Sequence, residues 1–349
     1  MAVPTVTITV PEPAARPLAK MSPSRVSEVE ACPRKVGYGQ DPVFRGLRRG
    51  TPSSALGQVV HAVLTTEPGD SFEESWRSAE ATALDRLRRA WSPATPPAPH
   101  RWPGWALARA RARARWMPIT ARRGGGEAGD VRVGAPPLPW VERRLDHPDL
   151  PLFGQPDVVE QIDGELLVRD YKTGKVDAGP GGSSWRQLLL YCALVEAVLG
   201  RLPDVMVIDT LGARHRADVH RPAVDDTVAA ALALRASYNA SVGDGPVAGA
   251  PGPETCRFCP FRLVCEPFLS TVQADWGVGL PLVGTVDAVD EAVTLRLEWP
   301  SWSRGQLVTL IGLPFPDGVA RGQRWGVLGA APRGAAAVAG WSSVVHRWS

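Results

Sequence analysis

Residues 152–172 read LFGQPDVVEQIDGELLVRDYK, and this stretch decides how the chain is read. Asp163-Gly164 separates two runs rich in Val, Ile and Leu, the signal for a two-residue hairpin loop whose central positions need a left-handed backbone. With that loop, cross-strand partners have residue numbers that sum to 327. Val159 then faces Val168, and Asp157 faces Asp170. Directly opposed residues have Cβ atoms about 4.5–5.5 Å apart on one face of the sheet. Lys172, two residues past Asp170, lies on that face as well.

Like charges directly opposite each other destabilise a sheet unless a cation bridges them. Hard divalent cations such as Mg²⁺ take one or two carboxylates together with water and substrate phosphates. A lysine beside such a cation can orient or deprotonate an attacking water and offset charge on the phosphate. The register alone therefore fits metal-dependent phosphodiester hydrolysis, and it fits equally a solvated hairpin whose acids both face water.

Outward from the hairpin, apolar spacing predicts helices over 24–38 (broken at Pro33), 56–64, 72–91, 105–123, 184–199 and 223–242. Strands are expected over 140–145, 152–172, 205–211 and 214–219. After about residue 271 the pattern changes to short β-like runs with Gly and Pro turns, which predicts a separate small barrel or sandwich. Residues 1–20, with four prolines, read as a disordered tail.

Gly154-Gln-Pro-Asp157 followed by Arg169-Asp-Tyr-Lys-Thr-Gly174 resembles the GxxD and DYKTG motifs of the PD-(D/E)XK nuclease superfamily, RecB-like branch. The resemblance covers about residues 21–270. It implies a restriction-endonuclease-like α/β core, a mixed central sheet flanked by helices, with a helical N-terminal insertion. It implies that Asp157 and Asp170 bind Mg²⁺ or Mn²⁺, that the Tyr171 carbonyl is a further ligand, and that Lys172 is catalytic. Leu56-Gly-Gln-Val-Val-His61 resembles the family's G-x-x-x-H helix, whose His ligates the metal. Gln187 and Tyr191 resemble its Q-x-x-x-Y motif; at i and i+4 they share one helical face. Glu142 resembles a family acidic position of lower rank.

Five cysteines occur, and Cys256, Cys259 and Cys265 lie within ten residues. In a chain with no recognisable export signal, such clustering points to metal or iron–sulfur ligation before disulfides. A closed tetrahedral site needs a fourth ligand. Cys32 is a better candidate than Cys192, which sits inside an apolar helical run. One distant Cys before the core and three after it resemble the 4Fe-4S staple of AddB-type and CRISPR-associated RecB-like exonucleases, with zinc as the competing metal. Either would close a loop of about 224 residues, where chain-entropy models give a large effect.

The chain has 349 residues, 39 Lys+Arg and 36 Asp+Glu, and only four of the basic residues are lysines. Residues 21–123 carry a net +8, leaving −5 for the remainder. This uneven charge points to a polyanion partner. Arg109, Arg111, Arg113 and Arg115 spread over about half of a helix and are candidate DNA contacts. Six tryptophans (Trp276, Trp299, Trp302, Trp325, Trp341, Trp348) fall in the last part of the chain, where an OB-like barrel would stack single-stranded bases or simply fill its core with them. No apolar run reaches the roughly 20 residues that span a bilayer, so membrane classes are excluded and a cytoplasmic location is expected. The whole reads as a metal-dependent DNase, by resemblance a single-strand-preferring exonuclease in repair, recombination or defence, with a helicase or similar protein as possible partner. The rival is a catalytically inactive nuclease-like DNA-binding subunit.

Overall fold

The computed structural model describes residues 12–65, 71–91, 95–122, 137–173, 179, 181–277, 279–300, 303–312 and 318–348. The first helices confirm the reading of Pro33 as a break. Helix α1 (Pro23–Ala31) is capped by the Ser22 side chain, which accepts from the Arg25 N–H, and has proline in its first turn. Cys32 is extended at φ −167°, and α2 (Pro33–Gln40) restarts on a proline that has no N–H to leave unpaired. After the single turn α3 (Pro42–Arg45) come α4 (Pro52–Thr65), α5 (Phe72–Trp91) and α6 (Trp105–Arg122). Leu56, Val59, Val60, Val63 and Leu64 of α4 are buried at helical spacing against this layer.

The central sheet runs β1 (Trp140–Val141), β4 (Val158–Ile162), β5 (Glu165–Lys172), β6 (Val205–Thr210) and β7 (Arg214–Asp218). Only β5 and β6 are parallel; every other pair is antiparallel, so the sheet is mixed. Helix α7 (Ser183–Leu199) makes the crossover between the parallel pair and ends on left-handed Gly200. The β4–β5 hairpin turns on Asp163 (φ 52°) and Gly164 (φ 84°), and Val158 pairs with Arg169, Val159 with Val168 and Ile162 with Glu165. The expected strand over 140–145 is instead β1 and a short β2 (Leu145–Asp146), because Glu142 takes a left-handed backbone between them. β2 pairs with β3 (Phe153–Gly154) outside the main sheet.

Alternation along the strands gives the sheet two covered faces. Val159, Val168, Met206 and Ile208 pack in one core with α1, α7 and α8 (Arg221–Gly243). Val158 and Tyr171 point the other way, into the core built by α4, α5 and α6. The N-terminal segment is held over residues 12–20. The Ala14, Arg16 and Leu18 N–H groups donate to the side chains of Asp41, Gln40 and Asn239. The rest of the expected tail lies outside the described residues.

The cysteine-rich segment contains α9 (Pro253–Cys256) and α10 (Glu266–Thr271) and leads into β8 (Leu282–Val289), β9 (Val293–Trp299), β10 (Leu307–Ile311), β11 (Arg324–Arg333) and β12 (Ala336–Trp348). These five strands close a barrel in the order β8-β9-β10-β12-β11, with β10 parallel to β12. Trp325 lies in the barrel core; Trp299 and Trp348 pack where the barrel meets the cysteine segment; Trp302 lies outside the described residues. The barrel docks firmly. Val283, Trp299, Leu328, Val344 and Trp348 share one core with Tyr38, Phe261, Leu263 and Phe268, and the Trp299 indole donates to the Leu269 carbonyl at 3.0 Å. A Cβ on Gly326 would lie 2.5 Å from Leu263 Cδ1, so only glycine admits this approach. Among the described residues no helix is long and apolar enough to cross a membrane.

Candidate active site

The site forms at the carboxyl-terminal end of β5. Asp157 and Asp170 are the next positions beyond the last hairpin pair, Val158 with Arg169, and both carboxylates are buried, at 8% and 3% exposure. Asp157 is fixed from below by the Tyr171 N–H, which donates to its Oδ2 at 2.6 Å. From α4, His61 places Nε2 2.7 Å from Asp157 Oδ1 and Nδ1 2.7 Å from Glu142 Oε1. From α7, Gln187 accepts from Lys172 Nζ at 2.9 Å and donates to Asp170 Oδ1 at 3.3 Å and to the Tyr191 hydroxyl at 3.1 Å. Gln187 and Tyr191 thus act as one polar brace behind Asp170 and Lys172. Thr173 follows Lys172, and the rest of that motif, from Gly174, lies outside the described residues.

Electrostatics mark the pair as costly without a counter-charge. Burial, reinforced by the Asp157 charge, pushes Asp170 up to about 6, although Lys172 and His61 pull the other way. Lys172 Nζ stands 2.8 Å from Asp170 Oδ2 and forms an ion pair with this buried carboxylate. Burial opposes charge on His61, but its hydrogen bond to Asp157 and the fields of Asp157, Glu142 and Asp170 outweigh it and raise its pKa above the usual histidine range. With a carboxylate at each ring nitrogen, the imidazolium is the form that suits His61 here.

Two adjoining buried carboxylates are a donor set that fits a hard divalent cation. The side chains nevertheless pair with one another rather than around a shared centre. Among the described residues no three His, Cys, Asp or Glu groups converge on one metal-sized position. For His61 to ligate, its Nε2 would have to give up both its proton and its contact with Asp157.

Glycines explain why the motif residues stand where they do. A Cβ on Gly57 would meet Thr173 Oγ1 at 3.1 Å, so α4 can carry His61 this close to the end of β5. A Cβ on Gly154 would meet Leu194 Cδ1 and Tyr191 Cε1 at 2.8 Å each. The Gly of the GxxD motif is therefore the seat of the Tyr of the Q-x-x-x-Y motif.

Beneath the site, on the other face of the sheet, lies a network that the sequence reading missed. Asp209, on β6 beside Tyr171, is 2% exposed and accepts from Arg169 Nη1 at 2.9 Å and from Arg214 Nη2 at 2.9 Å, and it also binds Arg115 of α6. Arg169 in turn donates to Glu160. An aspartate inside the apolar run Val205-Met-Val-Ile-Asp209 is the signal that could have revealed it, since buried charges are paired.

The four candidate arginines, Arg109, Arg111, Arg113 and Arg115, consequently part company. Arg109 and Arg113 both bind Glu73 of α5, and Arg115 belongs to the Asp209 network. Arg111 is exposed, with no carboxylate within ion-pairing distance among the described residues.

The cysteines form a second cluster. Cys32, Cys256, Cys259 and Cys265 line one cavity with Lys35, Tyr38, Phe261 and Arg262. The Ala250 N–H donates to Cys32 Sγ at 3.5 Å. Burial pushes the thiols of Cys259 and Cys265 up to about 11 and about 12, and it raises Cys256 too. Cys192 is fully buried in α7, away from this group. The four cysteines share this cavity, although among the described residues no three of them converge on one metal-sized position.

Comparison with known proteins supplies the class. The chain matches the PD-(D/E)XK nuclease superfamily over residues 20–266, and it belongs to that superfamily. A nuclease activity on DNA with a divalent metal is what membership implies. Among solved structures, "Crystal structure of SSO0001" is 13% identical, covering 60% of this chain and 84% of that chain at a TM-score of 0.28. No curated protein matches the chain.

Proposed function

We propose that the chain is a divalent-metal-dependent deoxyribonuclease of the RecB-like branch, a single-strand-preferring exonuclease of repair, recombination or defence in the cytoplasm. The observation that carries it is the buried Asp157–Asp170 pair with Lys172 and Gln187 beside it. A cation held by Asp157 and Asp170 would supply charge to the scissile phosphate and acidity to a water. Lys172, positioned by Gln187, would orient that water for attack on phosphorus; the new O–P bond would form as the ester P–O bond breaks, the attacking water giving up a proton to solvent and the leaving oxygen taking one from solvent. Tyr191 holds Gln187, and Glu142 holds His61.

The four cysteines are proposed to hold a 4Fe-4S cluster, with zinc the competing occupant, as a clamp between α2 and the segment that seats the barrel. The strand order of the barrel, with its third strand parallel to its fifth, supports an OB-like module. The deciding experiment is cleavage of 5′- and 3′-labelled single and double strands in anaerobic buffer with Mg²⁺ or Mn²⁺. Metal-dependent cleavage lost in Lys172→Ala is expected. Wild type that binds DNA but is as inert as the variant would make the chain a nuclease-like binding subunit.

A further inference from the structure

We propose that Arg143 and Arg111 are the two ends of a phosphate track that carries a nucleic-acid strand across the carboxyl-terminal edge of the sheet, with Lys172 near its middle; this rests on the nuclease reading above. The sheet order β1-β4-β5-β6-β7 puts β5, with Asp170 and Lys172, at the centre. The register sets which strand ends share the active-site edge. Val141 pairs with Val158, so the chain leaving β1 passes Asp157 and reaches Glu142 and Arg143 at that edge. Lys172 pairs with Thr210 of β6, so the turn at Gly212 lies at the same edge on the opposite side of β5.

Each end bears one uncommitted guanidinium. Arg143 is exposed and lies over the Trp140 ring at 5.3 Å, which sets its direction without neutralising it. Arg111 reaches the β6–β7 turn, where a Cβ on Gly212 would lie 3.8 Å from its Nη1. It stands one helical turn before Arg115, whose hold on Asp209 fixes that face of α6 against the sheet. Among the described residues neither Arg143 nor Arg111 has a carboxylate partner, whereas Arg109, Arg113 and Arg115 all do. About three and a half inter-strand steps of about 4.8 Å separate the two ends, since the Gly212 turn lies between β6 and β7. That is about 17 Å, or some five nucleotides of a stacked strand at about 3.4 Å each.

The test is polarisation of a fluorescein-labelled single strand of about twelve nucleotides, more than twice that span, in EDTA so that no cleavage intervenes. Each phosphate contact to a single strand contributes about 0.7 to the slope of log affinity against log salt. Arg111→Gln and Arg143→Gln, which keep the aliphatic stem, should each lower the slope by about 0.7 and raise Kd about fivefold near 0.1 M salt. Arg111→Lys and Arg143→Lys should restore the slope, and Arg113→Gln should leave it as in wild type. Slopes unchanged in both Gln variants of a protein that binds and cuts DNA would overturn the track and leave the nuclease reading standing. Wild type that neither binds nor cuts DNA would overturn both. Unaltered circular dichroism and melting of the variants tie the result to the charge.

Discussion

Tyr191 rests directly on the backbone of Gly154: a Cβ there would stand 2.8 Å from the ring carbon Cε1. The contact ties α7 to the entry of the hairpin that carries Asp157 and Asp170, and through the Tyr191–Gln187 hydrogen bond it reaches Lys172 and Asp170.

Gly154→Ala should therefore act as an overpacking change at the site. A loss of about 1–3 kcal/mol of stability is expected from urea unfolding. The larger effect should be on cleavage, because Gln187 is displaced with Tyr191. A variant with wild-type cleavage would show that the brace does not set Lys172.

Asp170 gives a pH signature. Its pKa is raised to about 6 in the fold by burial and the Asp157 charge, above the ordinary carboxylate value that the unfolded chain has. The fold thus binds this proton more tightly than the unfolded chain, and the metal-free protein loses stability as pH rises from about 4 through about 6. A cation on the ionised pair should reverse that loss. The rise in Tm on adding Mg²⁺ should be greater at pH 7.5 than at pH 5, read by paired thermal melts. Equal rises at the two pH values would contradict it.

Asp209→Ala removes the single carboxylate shared by Arg169, Arg214 and Arg115. Uncompensated buried charge typically costs about 3–5 kcal/mol. Denaturant unfolding should show a loss of that order, with the midpoint shifted and the slope retained. A change under about 1 kcal/mol would mean that water reaches these guanidiniums.

Leu263, fully buried between the cysteines, bears on the barrel at Gly326. Leu263→Ala should cost about 2–5 kcal/mol and loosen docking. Limited proteolysis should then cut within 271–281 faster than in wild type. Unchanged cleavage there would mean that Trp299 and Trp348 suffice to hold the barrel.

The hairpin was legible because its information is local. Asp163-Gly164 fixes the loop, and a period of two fixes which side chains share a face, so the Val158–Arg169 and Val159–Val168 pairs follow from counting, with Asp157 and Asp170 the next positions along. The helices were legible for the same reason, with Pro33 marking the break. What stayed hidden depends on partners distant in sequence. Nothing near Arg109, Arg113 or Arg115 announces Glu73 or Asp209, so four similar arginines looked equivalent. The parallel pairing of β10 with β12 and the wedge of Leu263 against Gly326 are likewise long-range matches without a local mark. The left-handed backbone at Glu142, which splits the expected strand and aims its carboxylate at His61, falls on a residue type that seldom adopts it.

The central claim is that Asp157 and Asp170 share one divalent cation. Its most direct test is Mn²⁺ binding at neutral pH, followed by electron paramagnetic resonance of the free ion, on wild type, Asp157→Asn and Asp170→Asn. One bound Mn²⁺ per chain in wild type, weakened at least tenfold in each variant, is the predicted result. Equal binding in all three proteins, or none in wild type, would contradict the account.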